Sequence, residues 1–171
     1  MIIKAIKDRR SVRKYKETPV AREKIEALLE AAMLAPSACN SRPWRFVVIT
    51  NREVLDKLSE HHKFAKMLRK APVAIVICAL ADEQAQNAIA EGFWPQDCGA
   101  ATQNILLQAQ EMGLASCWCG VYPKEHLVPV VREILDLPED EIPFNIIVIG
   151  EGDEEPAARG FYEAEKVRWM E

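Results

Sequence analysis

A short basic segment near the N-terminus holds the first residues whose types and spacing could do chemistry. Arg9, Arg10, Ser11 and Arg13 place three guanidinium groups and one hydroxyl within five residues. Arginine binds phosphate through paired, charge-assisted hydrogen bonds, and serine can add one more. Four lysines extend the positive charge: Lys4, Lys7, Lys14 and Lys16. The segment is compatible with a phosphate site, but a solvated basic face is the commoner outcome for such a run.

A loop bracketed by two prolines is the second candidate. Residues 36–44 read PSACNSRPW and lie between a predicted helix and a predicted strand. Small residues, hydroxyls and an amide would let this backbone approach a planar ligand closely and hydrogen-bond its polar edge. An ordinary rigid turn has the same composition, so the residues alone leave both interpretations open.

Residues 113–121, GLASCWCGV, form the third candidate. Cys117 and Cys119 have no second cysteine pair at metal-ligand spacing, so we predict no metal site. A catalytic thiol is disfavoured because no neighbouring base in the sequence would activate it. Gly120 indicates instead a backbone that approaches something closely. We assign no catalytic side chain.

Composition and missing motifs narrow the function further. The 171 residues, 49% apolar and 28% charged, predict one domain over residues 1–171. A net charge of −4 argues against a nucleic-acid partner. No apolar run is long enough for a membrane span and no signal peptide is recognisable, so we predict a cytoplasmic protein. Phosphate-loop, dinucleotide-binding and nucleophile-elbow motifs are all missing from the sequence.

Hydrophobic periodicity and capping signals predict helices alternating with strands. The predicted helices cover residues 1–8, 19 to near Pro36 with Thr18 as N-cap, 52–60 after Asn51, 95–112 before Gly113, and 123–135. The predicted strands cover residues 44–49, 73–79, 114–119 and 144–149. Two of these strands are apolar on both faces, which indicates a sheet between helix layers. The C-terminal segment opens acidic but closes with several apolar residues, so it either packs on its own domain or wraps a partner subunit.

Taken together, these segments resemble the nitroreductase family of FMN-dependent oxidoreductases. The resemblance rests on RRSVRKY, PSACNSRPWRFVVI, DCGAATQNILLQAQEMGLASCWCG and ARGFYEAEKVRWME, in that order along the chain. It implies an α+β fold with a mainly antiparallel central sheet flanked by helices. It also implies a homodimer in which the arm from about residue 150 to residue 171 reaches the partner subunit.

The resemblance also implies the cofactor site. Arg9, Arg10, Ser11 and Arg13 would hold the phosphate and ribityl chain of FMN, with Arg159 adding a contact from the arm. The flavin would be approached from the other subunit by Pro36, Ser37, Ala38 and Asn40. The isoalloxazine ring would be lined by Trp118, Cys119 and Gly120, with the Gly120 amide near N5. Arg42 stands where the family commonly has glutamine, which would bias the site toward an anionic substrate or repack its rim.

The implied activity is transfer of a hydride from NADH or NADPH through flavin N5 to an electron-poor small molecule, such as a nitroaromatic or a quinone. Two alternatives stay open. One is a different flavin reaction on the same scaffold, such as dehalogenation or flavin breakdown. The other is a flavin-binding or redox-sensing protein without turnover, in which Cys39, Cys117 or Cys119 would act. The sequence does not choose between the two nicotinamides, nor between one- and two-electron reduction.

Overall fold

A computed structural model describes residues 1–80, 92–158 and 160–171. Within these ranges four strands form one antiparallel sheet in the order β1-β2-β4-β3. The strands are β1 (Trp44–Ile49), β2 (Val73–Leu80), β3 (Ala115–Gly120) and β4 (Glu141–Gly150). The α-helices are α1 (Lys4–Asp8), α2 (Arg22–Met33), α3 (Arg52–His61), α4 (Trp94–Glu111) and α5 (Val128–Leu135). Short 3₁₀ turns cover Ala38–Asn40, Lys66–Arg69 and Ala164–Lys166.

The two central strands, β2 and β4, separate two hydrophobic cores. In β2 alternate residues point to opposite faces, as the period of a strand requires. Val73, Ile75 and Ile77 pack against α2 and α4, whereas Ala74 and Val76 face α3 and α5. The α+β architecture with a central antiparallel sheet between helices, expected from the sequence, is thereby confirmed.

The basic segment is tied to the edge of the sheet by its backbone. Ser11 forms a parallel bridge to Ser116 of β3, and the amide of Val12 donates to the Ser116 carbonyl at 3.1 Å. Tyr15 bridges to Gly152, and its buried ring packs with Pro72 against Gly150, where an added Cβ would lie 2.7 Å from Pro72 and 3.1 Å from Tyr15. The segment is therefore held between β3 and the chain that leaves β4.

Two helix starts predicted from the sequence are wrong. Thr18 is not an N-cap: α2 begins at Arg22 with Ala21 as its cap residue. The chain before it stays extended because the Lys16 amide donates to the Glu151 carbonyl at 2.9 Å. The fifth helix begins at Val128 rather than near residue 123.

The residues before α5 form turns because long-range contacts hold them against β4. The amides of Val121 and Tyr122 both donate to the carbonyl of Phe144, at 3.0 and 2.9 Å. The fourth strand is also longer than predicted, since its pairing with β2 continues past Pro143 to Glu141 across a register shift. The predicted strand started after Pro143, and the observed strand includes this residue although proline lacks an amide donor.

The C-terminal arm, here defined as residues 151–171, leaves the sheet after β4. Its apolar side chains are at least 74% exposed at four positions: Phe161, Tyr162, Trp169 and Met170. The arm does not dock these four side chains on its own domain.

Candidate functional site

The basic segment borders a cavity of about 390 Å³. Its lining residues are Ile6, Arg9, Arg10, Ser11, Arg13, Glu154 and Pro156. Three guanidinium groups thus face a single carboxylate, which leaves the cavity positively charged. The Glu154 carboxylate accepts from the backbone amide of Arg13 at 2.5 Å and from that of Lys14 at 3.2 Å, so it fixes the segment without pairing with a guanidinium. The structure therefore brings together the four residues that the sequence singled out here.

Arg10 has a structural task in addition to its place in this cavity. Its guanidinium donates to the carbonyls of Lys7 at 2.8 Å, Arg9 at 2.7 Å and Ala157 at 3.2 Å. The last of these bonds ties the start of the C-terminal arm to the basic segment. Arg13 donates to the Ser11 carbonyl at 3.3 Å, a contact close to the limit for a hydrogen bond.

The proline-bracketed loop adopts an unusual backbone. Cys39, Asn40 and Arg42 all have φ angles near +50°, in the left-handed region that disfavours residues other than glycine. Such residues persist only where their surroundings impose the conformation. Here the Ser37 hydroxyl accepts from the Arg42 amide at 2.9 Å, and the Arg42 side chain is exposed.

Asp97, near the start of α4, holds the same loop from outside. Its Oδ1 accepts from the backbone amide of Ala38 at 3.0 Å, while Oδ2 is buried without a hydrogen-bond partner among the described residues. Burial raises the pKa of this carboxyl, and the bond from Ala38 partly opposes that shift. No sequence motif marks Asp97, because its partner Ala38 lies 59 residues away along the chain.

At the end of β3, alternate residues face opposite sides of the sheet. Trp118 is 39% exposed and its ring lies edge-on to Phe144 at 5.9 Å. Cys119 points into the other core, where its thiol donates to the Phe64 carbonyl at 3.2 Å. The hydrogen bond with Cys117, followed by burial, raises the pKa of Cys119. Of the two neighbouring residues, only Trp118 presents a side chain to a ligand, and Cys119 offers its backbone.

His62 supports the last residue of β3 and was not singled out by its sequence context. Its Nδ1 accepts from the Phe64 amide at 3.2 Å, so Nε2 carries the proton and donates to the Gly120 carbonyl at 2.9 Å. Burial lowers the pKa of His62, which favours this neutral form. A Cβ added at Gly120 would meet no atom within 4 Å. The Gly120 peptide is therefore held firmly beside open space.

The candidate residues fall into two groups at opposite edges of the sheet. The basic segment and residues 118–120 lie along β3, whereas residues 36–40 precede β1. Three interstrand spacings of about 4.8 Å separate these edges by roughly 14 Å. Arg159, the remaining candidate, lies outside the described residues.

Within residues 1–80, 92–158 and 160–171, no three histidine, cysteine, aspartate or glutamate side chains are grouped so that they could hold a metal ion. None of the helices in these ranges combines the length and apolar character needed to cross a membrane.

Comparison with known proteins identifies the family. The model of the nitroreductase family matches residues 6–64 and 59–151. A Methanothermobacter thermautotrophicus protein, named as a candidate NADH dehydrogenase/NAD(P)H nitroreductase, is 43% identical over 97% of this chain and 85% of its own length. The crystal structure of a candidate nitroreductase in complex with FMN from Desulfovibrio desulfuricans is 30% identical. It has a TM-score of 0.82 and covers 98% of this chain and 95% of its own.

A third relative matches over almost its full length. The structure of an FMN-dependent nitroreductase from Clostridium difficile is 35% identical, with a TM-score of 0.88 and 99% of each chain covered. The agreement of the family model with relatives above 30% identity is decisive, and this chain belongs to the nitroreductase family.

Proposed function

We propose that this chain binds FMN and uses NADH or NADPH to reduce an electron-poor acceptor such as a nitroaromatic or a quinone. The observation that carries the proposal is the cavity of about 390 Å³ at the basic segment, where three arginines and Ser11 converge. Guanidinium groups bind phosphate esters through paired hydrogen bonds, and this arrangement suits the phosphate of FMN. The relatives named for FMN support the same cofactor.

The residues present fit both ends of the cofactor. At one end, Arg9, Ser11 and Arg13 offer donors for the phosphate and the ribityl chain, and Arg10 supports them. At the other end, the open space beside Gly120 leaves room for a flat ring to approach the backbone. Trp118, Cys119 and Gly120 form the adjoining wall in this proposal, with only the backbone of Cys119 exposed to the ring.

In this proposal the residues of the chain bind FMN and orient it, and the backbone around Gly120 is fixed before the cofactor arrives. His62 holds the Gly120 carbonyl, and the bond from the amide of Val121 to the carbonyl of Phe144 in β4 fixes the next residue of the chain. Backbone groups fixed in advance stabilise charge without reorganising during a reaction. When bound, FMN supplies the hydride and electron transfer that no protein side chain provides. We assign no side chain as a general acid or base.

The active unit in this proposal is a homodimer of single-domain chains, each spanning residues 1–171. The loop residues Pro36, Ser37, Ala38 and Asn40 precede β1, at the edge of the sheet opposite β3, and in the proposed dimer a second copy brings them to the same flavin. The four exposed apolar side chains of the C-terminal arm need a docking surface, which the second copy provides. Arg159 of this arm adds a phosphate contact.

The first experiment is an absorbance spectrum of the purified protein, with release and identification of any chromophore. We expect a flavin spectrum, FMN near one per chain, and reduction of a nitroaromatic or quinone by NADH or NADPH. Product analysis with reduced flavin in air separates this activity from flavin breakdown. A colourless protein that does not bind added FMN would refute the proposal, and so would full activity without flavin.

A matched pair of variants tests the phosphate site. Arg9→Gln removes one guanidinium from the cavity, and we expect the Kd for FMN to rise about tenfold or more, because hydrogen bonds to charged groups contribute about 1.5–3 kcal/mol. Lys24→Gln removes the same charge from the exposed face of α2 and leaves the Kd within about twofold, as is usual for surface changes. Equal Kd values for both variants would place the phosphate elsewhere.

The dimer has its own test. A chain ending at Gly160 lacks the four exposed apolar side chains, and we expect it to sediment as a monomer and to lose FMN. A truncated chain that stays dimeric and retains FMN would contradict the proposed exchange of the arm.

A further inference from the structure

A second positively charged cavity adjoins the proposed phosphate site of FMN. It has a volume of about 420 Å³ and is lined by Arg13, Lys14, Tyr15, Lys66, Met67, Arg69, Lys70 and Asp153. Arg13 lines both cavities, so the two are neighbours. The five cations of the second cavity face one carboxylate, although the chain as a whole carries a net charge of −4.

These cations come together from separate parts of the chain. Arg13 and Lys14 belong to the basic segment, whereas Lys66, Arg69 and Lys70 lie in or beside the 3₁₀ turn that follows α3. Tyr15 and Met67 are buried and form a fixed floor between the two groups. Like charges gathered on a rigid floor repel one another, and a bound anion would relieve that repulsion.

Most of the positive charge in this cavity is not neutralised. Lys66 donates to the carbonyls of Ser59 at 3.0 Å and Glu60 at 3.3 Å, so its position is fixed by the end of α3. Within residues 1–80, 92–158 and 160–171, the side chains of Lys14, Arg69 and Lys70 form no ion pair or hydrogen bond. Three cations are thus available to a ligand.

We propose that this cavity binds the 2′-phosphate of NADPH and makes NADPH the preferred reductant. The inference rests on the proposed function, because the reductant proposed there must reach the flavin, and this cavity shares Arg13 with the proposed phosphate site of FMN. A phosphate monoester carries close to two negative charges at neutral pH and three acceptor oxygens, which suits a cavity with three unpaired cations. The volume of about 420 Å³ also leaves room for the ribose that carries the phosphate.

The pyrophosphate common to NADH and NADPH is another negatively charged phosphate group that a cavity of this kind could bind. A cavity for pyrophosphate would serve both reductants equally, whereas a cavity for the 2′-phosphate serves NADPH alone. Comparing the two nicotinamides therefore distinguishes the sources.

The test uses the FMN-loaded protein and two double variants of equal charge. Arg69→Gln with Lys70→Gln removes two cations from the cavity, and Lys24→Gln with Lys57→Gln removes two exposed cations from α2 and α3. We expect kcat/KM for NADPH to fall about tenfold or more in the first variant and to change less than about twofold in the second. We expect kcat/KM for NADH to stay within about twofold in both.

A binding measurement makes the result independent of turnover. Adenosine 2′,5′-bisphosphate is titrated into each protein by calorimetry, with adenosine 5′-monophosphate as the matched probe. We expect the wild-type protein to bind the bisphosphate at least about tenfold more tightly, and the cavity variant to lose that difference. Unchanged FMN content and melting temperature confirm that each variant is folded.

The remaining outcomes separate failure of the 2′-phosphate assignment from failure of the proposed function. Equal losses with NADH and NADPH, or equal binding of both probes by the wild-type protein, overturn the assignment to the 2′-phosphate. An FMN-loaded wild-type protein that turns over neither nicotinamide refutes the proposed function instead, and the calorimetric result still decides what the cavity binds.

Discussion

Replacing Gly120 by alanine separates the proposed ring site from the stability of the fold. The added Cβ meets no atom within 4 Å, and the backbone at Gly120 is not left-handed, so the folded chain accommodates it without strain. Alanine also restricts the unfolded chain more than glycine does, which is worth about 0.4–1 kcal/mol in favour of folding. We therefore expect the free energy of unfolding of the FMN-free protein to stay equal or to rise by up to about 1 kcal/mol.

The same methyl group occupies the space into which the flavin ring is proposed to fit. Forcing an extra carbon into a close contact costs about 1–3 kcal/mol, which corresponds to binding weaker by a factor of about 5 to 150. FMN affinity is measured by quenching of flavin fluorescence, and unfolding by urea denaturation of the FMN-free protein. We expect the Kd for FMN to rise by this factor while the urea midpoint is maintained.

Gly150→Ala is the matched control, because an added Cβ at Gly150 meets closely packed atoms, whereas one at Gly120 meets none within 4 Å. At Gly150 the Cβ would lie 2.7 Å from Cδ of Pro72 and 3.1 Å from Cδ1 of Tyr15, so the fold must shift. We expect a loss of about 1–3 kcal/mol in the free energy of unfolding from this overpacking. If Gly120→Ala binds FMN as tightly as the wild-type protein, the ring does not approach Gly120 and the reasoning is refuted.

Three further substitutions, at Asp97, His62 and Arg10, test the burial or the hydrogen bond of a single side chain. Burial raises the pKa of Asp97, so the folded state holds its proton more tightly and stability is lost as pH rises above the ordinary value of 3.8. Asp97→Asn should therefore stabilise the protein more at pH 7 than at pH 4 in urea denaturation, and an equal effect at both would contradict this. Burial lowers the pKa of His62, so stability falls as pH drops below 6.5. His62→Gln should flatten that dependence between pH 7.5 and 5.5, and an unchanged slope would assign it to other groups. Arg10→Gln removes the bond to Ala157, and limited proteolysis should cut the C-terminal arm faster than in Lys24→Gln. Equal cleavage rates would show that Arg10 does not anchor the arm.

Capping residues and apolar runs in the sequence correctly predicted the helix ends and the strand that depend on neighbouring residues. Asn51 caps α3 through a bond from the Val54 amide, and Gly113 follows α4 in the left-handed conformation, as their positions predicted. The uninterrupted apolar run of β2 likewise predicted a strand buried on both faces. In each case the determining contacts are within a few residues or follow from burial alone.

Some residues of the candidate site could be predicted from the sequence and others could not, because only some of them are marked by their neighbours along the chain. Residue type and spacing singled out the four residues of the basic segment, and the structure brings them to one cavity. Resemblance also named Trp118, Cys119 and Gly120, and the alternation of β3 shows that the Cys119 thiol lies in the core while the Trp118 side chain is partly exposed. The sequence carried no signal for the second cavity, since its cations come from segments about 50 residues apart.

The sequence by itself determined the family, the basic segment and the apolar strands, because motif order, charge and hydrophobic periodicity are properties of the chain alone. The tertiary structure alone decided where α2 begins, how the left-handed loop is held by Asp97, and which hydrogen bonds orient Gly120. Each of these depends on a hydrogen bond between residues distant along the chain, and such a bond exists only once the sheet has brought its partners together.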